Sequence, residues 1–225
     1  MKSLATKVLA GFMQNLAVVG LILFVPVQSW HYWQAWIFMG VYFIPQLFMI
    51  IYFLKYDPVF LQRRTKIGII SESRGVQKLI MFLMKVFMVS TLLASALDHS
   101  FSRSHIPIAF VASADALILL GLLFQFRVFL ENRFAAAVIE LTDGQRVIST
   151  GPYALVRHPM YSGAILVNIV TPIALGSWWG SPFALAMSGA IISRLLDEEK
   201  FLHQSLPGYG DYCQKVPCRL IPHFW

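Results

Sequence analysis

The sequence predicts an all-α, polytopic membrane helix bundle of four spans, followed by a C-terminal helical hairpin and a cytoplasmic tail. Three observations predict it. Of the 225 residues, 57% are apolar and only 13% charged, well below the roughly 25% charged content of soluble domains. The apolar residues gather in runs of about 20, the length that crosses ~30 Å of hydrocarbon at ~1.5 Å per residue. Lys and Arg concentrate in alternate connections, the bias that marks cytoplasmic loops. A soluble fold is excluded, and the chain is too short to add a separate catalytic domain of ~100 residues beside the spans. Any chemistry must sit in or against the bundle.

Val8 to Val27 forms the first span. Met1 to Trp30 has the basic and apolar parts of a secretory signal, but its apolar run exceeds the usual ~7–15 residues and no small-residue cleavage site follows. It reads as a retained helix. Trp33 to Leu54 is the second span, with Trp30, Tyr32, Trp33 and Trp36 clustered at its start, where amphipathic rings favour the headgroup boundary. Lys55 to Lys78 follows as the most basic segment, carrying Lys55, Arg63, Arg64, Lys66, Arg74 and Lys78, and reads as a cytoplasmic loop. The third span, Leu79 to Leu97, and the fourth, Ile108 to Leu130, are joined by an outward loop whose one Lys or Arg is Arg103. Glu131 to His158 again carries arginines, Arg133, Arg146 and Arg157, and Lys2 and Lys7 fall on the same side. Both termini are therefore expected in the cytoplasm. The chain divides into a four-helix transmembrane region, 1–130, and a region, 131–225, that carries the chemistry.

The net charge of +7 is read as this topology signal, not as an affinity for nucleic acid. Cys213 and Cys218 lack the paired spacing of a zinc site and read as free thiols. Lys85 and Arg127 lie near enough to the cytoplasmic ends of their spans to snorkel. Asp115, about two turns into the fourth span, calls for a pairing partner or an outward-facing polar crevice.

After Pro159 the pattern changes. Two apolar stretches, Met160 to Leu175 and Pro182 to Leu195, flank the turn-rich segment Gly176 to Pro182, in which Pro182 can start the second helix with Ser181 as cap. Each stretch is only ~21–24 Å long as a helix, marginal for crossing unaided. A tight antiparallel hairpin follows, which sets the helix start at Pro159 beside the polar helix end Arg194, Asp197, Glu198 and Glu199. Pro159 at the first turn leaves the initial backbone donors unpaired, a place that attracts a ligand carboxylate. Gly163, one turn in, removes a side chain where something approaches closely. Arg194 and Glu198, four apart, share a helix face and can pair. Taken singly, the first cluster also reads as a capped membrane helix with a snorkelling Arg157 and an interfacial Tyr153, and the second as a solvated, salt-bridged helix end; their juxtaposition makes one composite polar site.

The segment from Gln145 to Gly163, with its Arg157-His158-Pro159-x-Tyr161-x-Gly163 core, the downstream Arg194 to Glu199 cluster, and Tyr209, Tyr212, Val216 and Pro217, resembles the isoprenylcysteine carboxyl methyltransferase family. It is similar, more distantly, to the phospholipid N-methyltransferases. The resemblance covers roughly the last 90 residues. It implies an S-adenosylmethionine pocket facing the cytoplasm, with cofactor contacts from Gln145, Arg146, Val147, Ile148, Tyr153, His158, Pro159, Met160, Tyr161 and Glu198. Arg194 matches the arginine placed at the acceptor. Two departures stand out: Gln145 where the family often has His, and Leu206-Pro207-Gly208 in place of Phe-Gly before the tyrosines.

The reaction so implied needs no metal and no covalent nucleophile, only acceptor and methyl group held in line at ~3–3.5 Å. A carboxylate acceptor is nucleophilic as it stands, and Arg194 could clamp it while Glu198 fixes the arginine or meets the cofactor. An amine acceptor must lose a proton, which gives His158 or a glutamate the role of base. A lipid-modified, prenylated or lipid-like acceptor would enter sideways from the bilayer, with carboxyl O-methylation favoured and phospholipid N-methylation as the alternative. Two rivals remain. One is a sterol-type membrane reductase using NADPH, disfavoured because the motifs bring no further Arg or Lys cluster for a dinucleotide; the other is a non-enzymatic transporter or scaffold.

Overall fold

The computed structural model describes residues 2–64, 75–134 and 146–225. Among them are eight α-helices and no strand: α1 (Lys2–Phe24), α2 (Trp33–Tyr56), α3 (Pro58–Arg64), α4 (Gly75–Ser100), α5 (Ile108–Glu131), α6 (Pro159–Ala174), α7 (Ser181–Ser205) and α8 (Tyr209–Lys215), with a 3₁₀ turn at Gly151–Ala154. Helices α1, α2, α4 and α5 are long and apolar enough to cross a membrane. They expose large apolar side chains such as Leu21, Ile44, Phe48 and Leu120, as helices bathed in lipid do. The chain is a polytopic helical membrane bundle, an integral membrane protein.

The hairpin α6–α7 packs into the four spans: α6 lies along α5 in the most extensive helix contact, and α7 lies along α4. Small residues permit the first contact. A Cβ on Gly163 would stand 2.8 Å from Gln125 Cγ and 3.3 Å from the carbonyl oxygen of Gly121, while one on Gly121 would stand 2.7 Å from Val167 Cγ2. The partner that approaches Gly163 is therefore α5. Within the hairpin, buried Asn168 joins the two helices, its Nδ2 donating to the Ala184 carbonyl at 2.6 Å and to Ser188 Oγ at 2.9 Å.

At the end opposite the N-terminus, buried Asp98 latches the bundle. Its carboxylate accepts the Ser104 amide (2.9 Å), the Ser104 hydroxyl (2.6 Å) and the Ser177 hydroxyl (2.5 Å), tying the α4–α5 loop to the hairpin turn. The hydroxyl of Tyr32, at the start of α2, donates to the Leu175 carbonyl at 2.7 Å. Gly176 turns the chain with φ +73°, a conformation open to glycine.

The elements depart from the sequence reading in four places. Helix α1 ends at Phe24 and passes into a turn before Val27. The basic connection contains α3, because Asp57 caps it, accepting the Phe60 amide at 3.1 Å, Pro58 supplies a preset first φ, and Phe60 and Leu61 are buried. Helix α4 begins at Gly75, four residues early, and brings Gln77 inside. Helix α7 runs ten residues beyond Leu195, since buried partners hold its polar last turns. Asp115 also differs: it falls on the packed face of α5 with Ala114 and Ile118, and its Oδ1 has no hydrogen-bond partner among the described residues. Lys85 is exposed, and Arg127 pairs with Glu131 at 2.8 Å near the helix end.

The glycine contact yields a direct test. Gly163→Ala should lower stability by roughly 1–3 kcal/mol through overpacking, read as a lower melting temperature in detergent. Gly189→Ala, where a Cβ meets nothing within 4 Å, should leave it unchanged or raise it slightly, alanine being the better helix former. Equal melting of the two variants would remove the close α5–α6 approach.

Candidate active site

The polar residues of the hairpin meet at the end of the bundle where α2 stops and α4 starts. Glu199, beyond the apolar part of α7, lies at the centre and is buried. Its Oε1 accepts Arg157 Nε at 2.7 Å, its Oε2 accepts Arg219 Nε at 2.7 Å, and His158 Nε2 lies 3.7 Å away. Burial alone would raise this carboxyl; the His158 ring close by, the hydrogen bond from Arg219 and the charge of Arg157 override it and hold the group at about 2. Arg157 also donates to the carbonyls of Val216 (3.0 Å) and Pro217 (2.9 Å). The backbone pairs beside it, Arg157 N to the Cys218 carbonyl and His158 N to the Arg219 carbonyl, both at 2.9 Å. One carboxylate thus straps the C-terminal tail across the start of α6.

A second group faces away from that strap. Tyr161, the third residue of α6, donates its hydroxyl to Glu198 Oε2 at 2.6 Å and also interacts with Arg194. Arg194 is buried, and its Nη1 donates to Gln77 Oε1 at 2.8 Å, while Gln77 Nε2 donates to Asp197. Gln77 comes from α4, so the hairpin's arginine is aimed by a helix outside the hairpin. Tyr153 is buried in the 3₁₀ turn, its hydroxyl accepting Asn132 Nδ2 at 3.0 Å and its carbonyl accepting the Tyr212 hydroxyl at 2.7 Å. Burial pushes its hydroxyl up to about 12.

Tyr153, His158, Pro159, Met160, Tyr161, Arg194 and Glu198 therefore share one neighbourhood. The structure divides their surroundings. His158 is buried behind Tyr209, whose hydroxyl lies 3.4 Å from its Nε2, on the Glu199 side. Glu198, one residue before Glu199 and so turned about 100° around the helix, is half-buried beside Tyr161. The amides of Tyr161 and Ser162 turn back to the His158 carbonyl at 3.0 and 3.2 Å, so the start of α6 is more fully paired than its sequence suggests. Val147 packs against the cluster of Leu206, Tyr209, Tyr212 and Val216; Ile148 is half-buried and Arg146 exposed. Gln145 lies outside the described residues.

Four partners are not evident from the sequence: Glu199 as the strap, Gln77, Asn132 and Arg64. Arg64 Nη1 lies 3.9 Å from Met160 Sδ. A glutamine in the first turn of a span is the signal that marks Gln77, since an amide buried there needs polar partners. Arg157, which the sequence also allows to snorkel, is instead buried and fully engaged. Cys213 and Cys218 are free thiols, and no group of His, Cys, Asp or Glu among the described residues could hold a metal ion.

Comparison with known proteins falls on this same region. The phospholipid methyltransferase family model matches residues 109–207. That stretch holds α5, the 3₁₀ turn, α6 and α7, and hence the Arg157 to Gly163 motif and the Arg194 to Glu199 cluster. The chain is also similar to the Delta(14)-sterol reductase of Mus musculus, 26% identical over 90 residues. That alignment covers 39% of this chain and 22% of the reductase, so the chain spans less than a quarter of that relative's length.

The strap has a pH signature. A carboxyl held near 2 in the fold and near 4.5 when freed contributes stability that is fully present above about 4.5 and is lost as pH falls towards 2. Hydrogen exchange in residues 216–225 should therefore rise across that acid window. Glu199→Gln should show the fast exchange already at pH 7, because Arg157 then loses its buried counter-charge, a loss of order 3 kcal/mol. Unchanged exchange in the variant would show that the tail is held by something else.

Proposed function

We propose that this protein is an S-adenosylmethionine-dependent membrane methyltransferase acting on a lipid-modified or lipid-like acceptor that enters from the bilayer. The observation that carries this reading is the Tyr161–Glu198–Arg194 group, which lies at one end of the bundle inside the segment matched by the phospholipid methyltransferase family. The same reading puts that end, and both termini, on the cytoplasmic side.

The donor set suits the cofactor. S-adenosylmethionine carries a cationic sulfonium and ammonium, a carboxylate and an aromatic base. Here a half-buried carboxylate, Glu198, accepts the hydroxyl of Tyr161, which also interacts with the Arg194 guanidinium. Tyr153, His158, Pro159, Met160, Tyr161 and Glu198, with Gln145, Arg146, Val147 and Ile148 from the preceding segment, are the residues assigned to hold it. When bound, it supplies an electrophilic methyl group. The chain's own task is then to position the acceptor and exclude water.

Arg194 is the group assigned to the acceptor. Its hydrogen bond to Gln77 and its contact with Tyr161 fix the guanidinium plane, and a fixed fork can present two parallel donors to a carboxylate. This supports carboxyl O-methylation. The matched family supports the second reading, phospholipid N-methylation, in which an amine must lose a proton. Glu198 suits that role better than His158, which is buried against Glu199 and Tyr209. The similarity to a sterol reductase keeps NADPH as the rival cofactor.

Calorimetry on the purified full chain in detergent separates these cofactors: saturable binding of S-adenosylmethionine is expected, and binding of NADPH alone would overturn the proposal. With labelled cofactor and membrane extracts, Arg194→Ala should cut methyl transfer roughly 10²-fold or more, the scale seen when a preorganised donor is lost. Gln77→Ala should give a smaller loss in the same assay. A base-labile product would mark a methyl ester, a stable one an amine.

A further inference from the structure

We propose that Asn132, at the end of α5, is a positioning residue that sets the direction of the Tyr153 hydroxyl, so that this hydroxyl gives its proton to a neutral acceptor atom on the nucleoside half of the cofactor. This rests on the methyltransferase reading and deepens it, by giving a role to a residue outside the Gln145 to Gly163 and Arg194 to Glu199 segments.

The end of α5 is built to hold the turn that carries Tyr153. The Thr150 hydroxyl donates to Glu131 Oε1 at 2.5 Å. Gly151, with φ +57°, comes so close that a Cβ would stand 2.7 Å from Glu131 Oε2. The Tyr212 hydroxyl, from α8, holds the Tyr153 carbonyl at 2.7 Å. With the backbone so fixed, what remains is where the side chain's own proton points.

Asn132 decides that. Its Oδ1 accepts the Phe134 amide at 3.0 Å. A backbone amide can only donate, which fixes which end of the carboxamide is the oxygen and leaves Nδ2 to face the Tyr153 hydroxyl at 3.0 Å. Carboxamide nitrogen also only donates, so the hydroxyl accepts in this bond and keeps its proton turned away from Asn132. No acceptor among the described residues takes that proton. Neighbouring tyrosines differ: Tyr161 donates to Glu198, and Tyr212 to the Tyr153 carbonyl. A donor left over on a side chain only 9% exposed carries a cost that a ligand acceptor removes. Burial, which pushes this hydroxyl up to about 12, keeps it protonated at neutral pH.

The surroundings select what receives the proton. The negative charge of Glu198 acts on the same hydroxyl, so a ligand carboxylate would be repelled there, whereas a neutral lone pair on a ribose or a base would not. Tyr212, which holds the turn, belongs to an apolar cluster with Val147, Leu206, Tyr209 and Val216, a wall suited to a nucleoside.

The test is equilibrium binding to the full chain in detergent, with S-adenosylmethionine and with 5′-methylthioadenosine, which keeps the nucleoside and has no net charge. Tyr153→Phe removes the proton and keeps the ring. Asn132→Asp keeps an oxygen for the Phe134 amide but sets a second oxygen against the hydroxyl, which then spends its proton on the aspartate. Each variant alone should weaken 5′-methylthioadenosine binding roughly tenfold, the scale of one hydrogen bond left unmade. In the Tyr153→Phe background Asn132→Asp should add nothing. Melting temperatures report folding; should the aspartate variant not fold, the same cycle is run with Asn132→Ser. Losses that multiply in the double variant would make Asn132 a merely structural residue and overturn the proposal. Unchanged affinity in Tyr153→Phe, or a loss confined to S-adenosylmethionine, would overturn it too. If 5′-methylthioadenosine follows the expected pattern but S-adenosylmethionine does not bind, the methyltransferase reading fails while the donor stands. If S-adenosylmethionine binds saturably and the nucleoside does not bind or the cycle is additive, the reverse holds; binding of neither overturns both.

Discussion

Two arginines close on the two oxygens of the Glu199 carboxylate, and the candidate site is organised around that closure. A carboxylate and a guanidinium buried together, Glu199 and Arg157, with a half-exposed second guanidinium, Arg219, need a geometry that satisfies their hydrogen bonds to repay their desolvation. Arg157 meets the condition by reaching Glu199 and two tail carbonyls at once. The tail is thereby fixed beside the start of α6, and the tyrosines of α8 are brought behind it, Tyr212 onto the Tyr153 carbonyl and Tyr209 beside His158. The wall of the site is consequently made by residues some 50 to 60 positions apart in sequence.

The bundle supplies the opposite wall. Hydrophobic matching in a bilayer sets which segments span but gives little reason for one helix to prefer another. Here the choice is made by the glycines that let α5 and α6 touch and by polar contacts near the helix ends, Gln77 with Arg194 and Asp98 with Ser177. The first of those polar contacts also orients a candidate site residue. Gln77 is both a packing residue, with no exposed surface, and the residue that orients Arg194. Fold and site share their hydrogen bonds.

Much of this was legible in the sequence because hydropathy and charge act over whole segments. The four spans, the hairpin and its turn all appear in the expected order, with ends that shift by several residues, since a run of about 20 apolar residues fixes that a helix forms but not where it stops. Positions that depend on one side chain were less legible. Glu198 and Glu199 are indistinguishable as letters; a turn of about 100° sends one to Tyr161 and the other to the arginines. Helix α3 lay hidden in a basic segment whose charges mask the short apolar pair Phe60-Leu61, although Asp57-Pro58 announced it. The close approach at Gly163 was foreseen, but its partner could not be, because nothing in one helix names the helix it will meet. Arg64 is illegible for the same reason, and Gln77 is marked only by an amide at the start of a span: the partners of both lie more than 90 residues away.

The latch at Asp98 bears on how a short hairpin lives in a thick solvent. Helix α6 has 16 residues, about 24 Å, against a hydrocarbon core of ~30 Å. Its turn would stop short of the far water if the bundle's active end sits at the near interface, and exposed peptide groups at that depth have no solvent to bind. Asp98, Ser104, Ser177 and Tyr32 answer with partners from the protein itself. The turn carries its own polar medium with it, which frees the hairpin's length to be set by the polar cluster at its other end instead of by the thickness of the membrane.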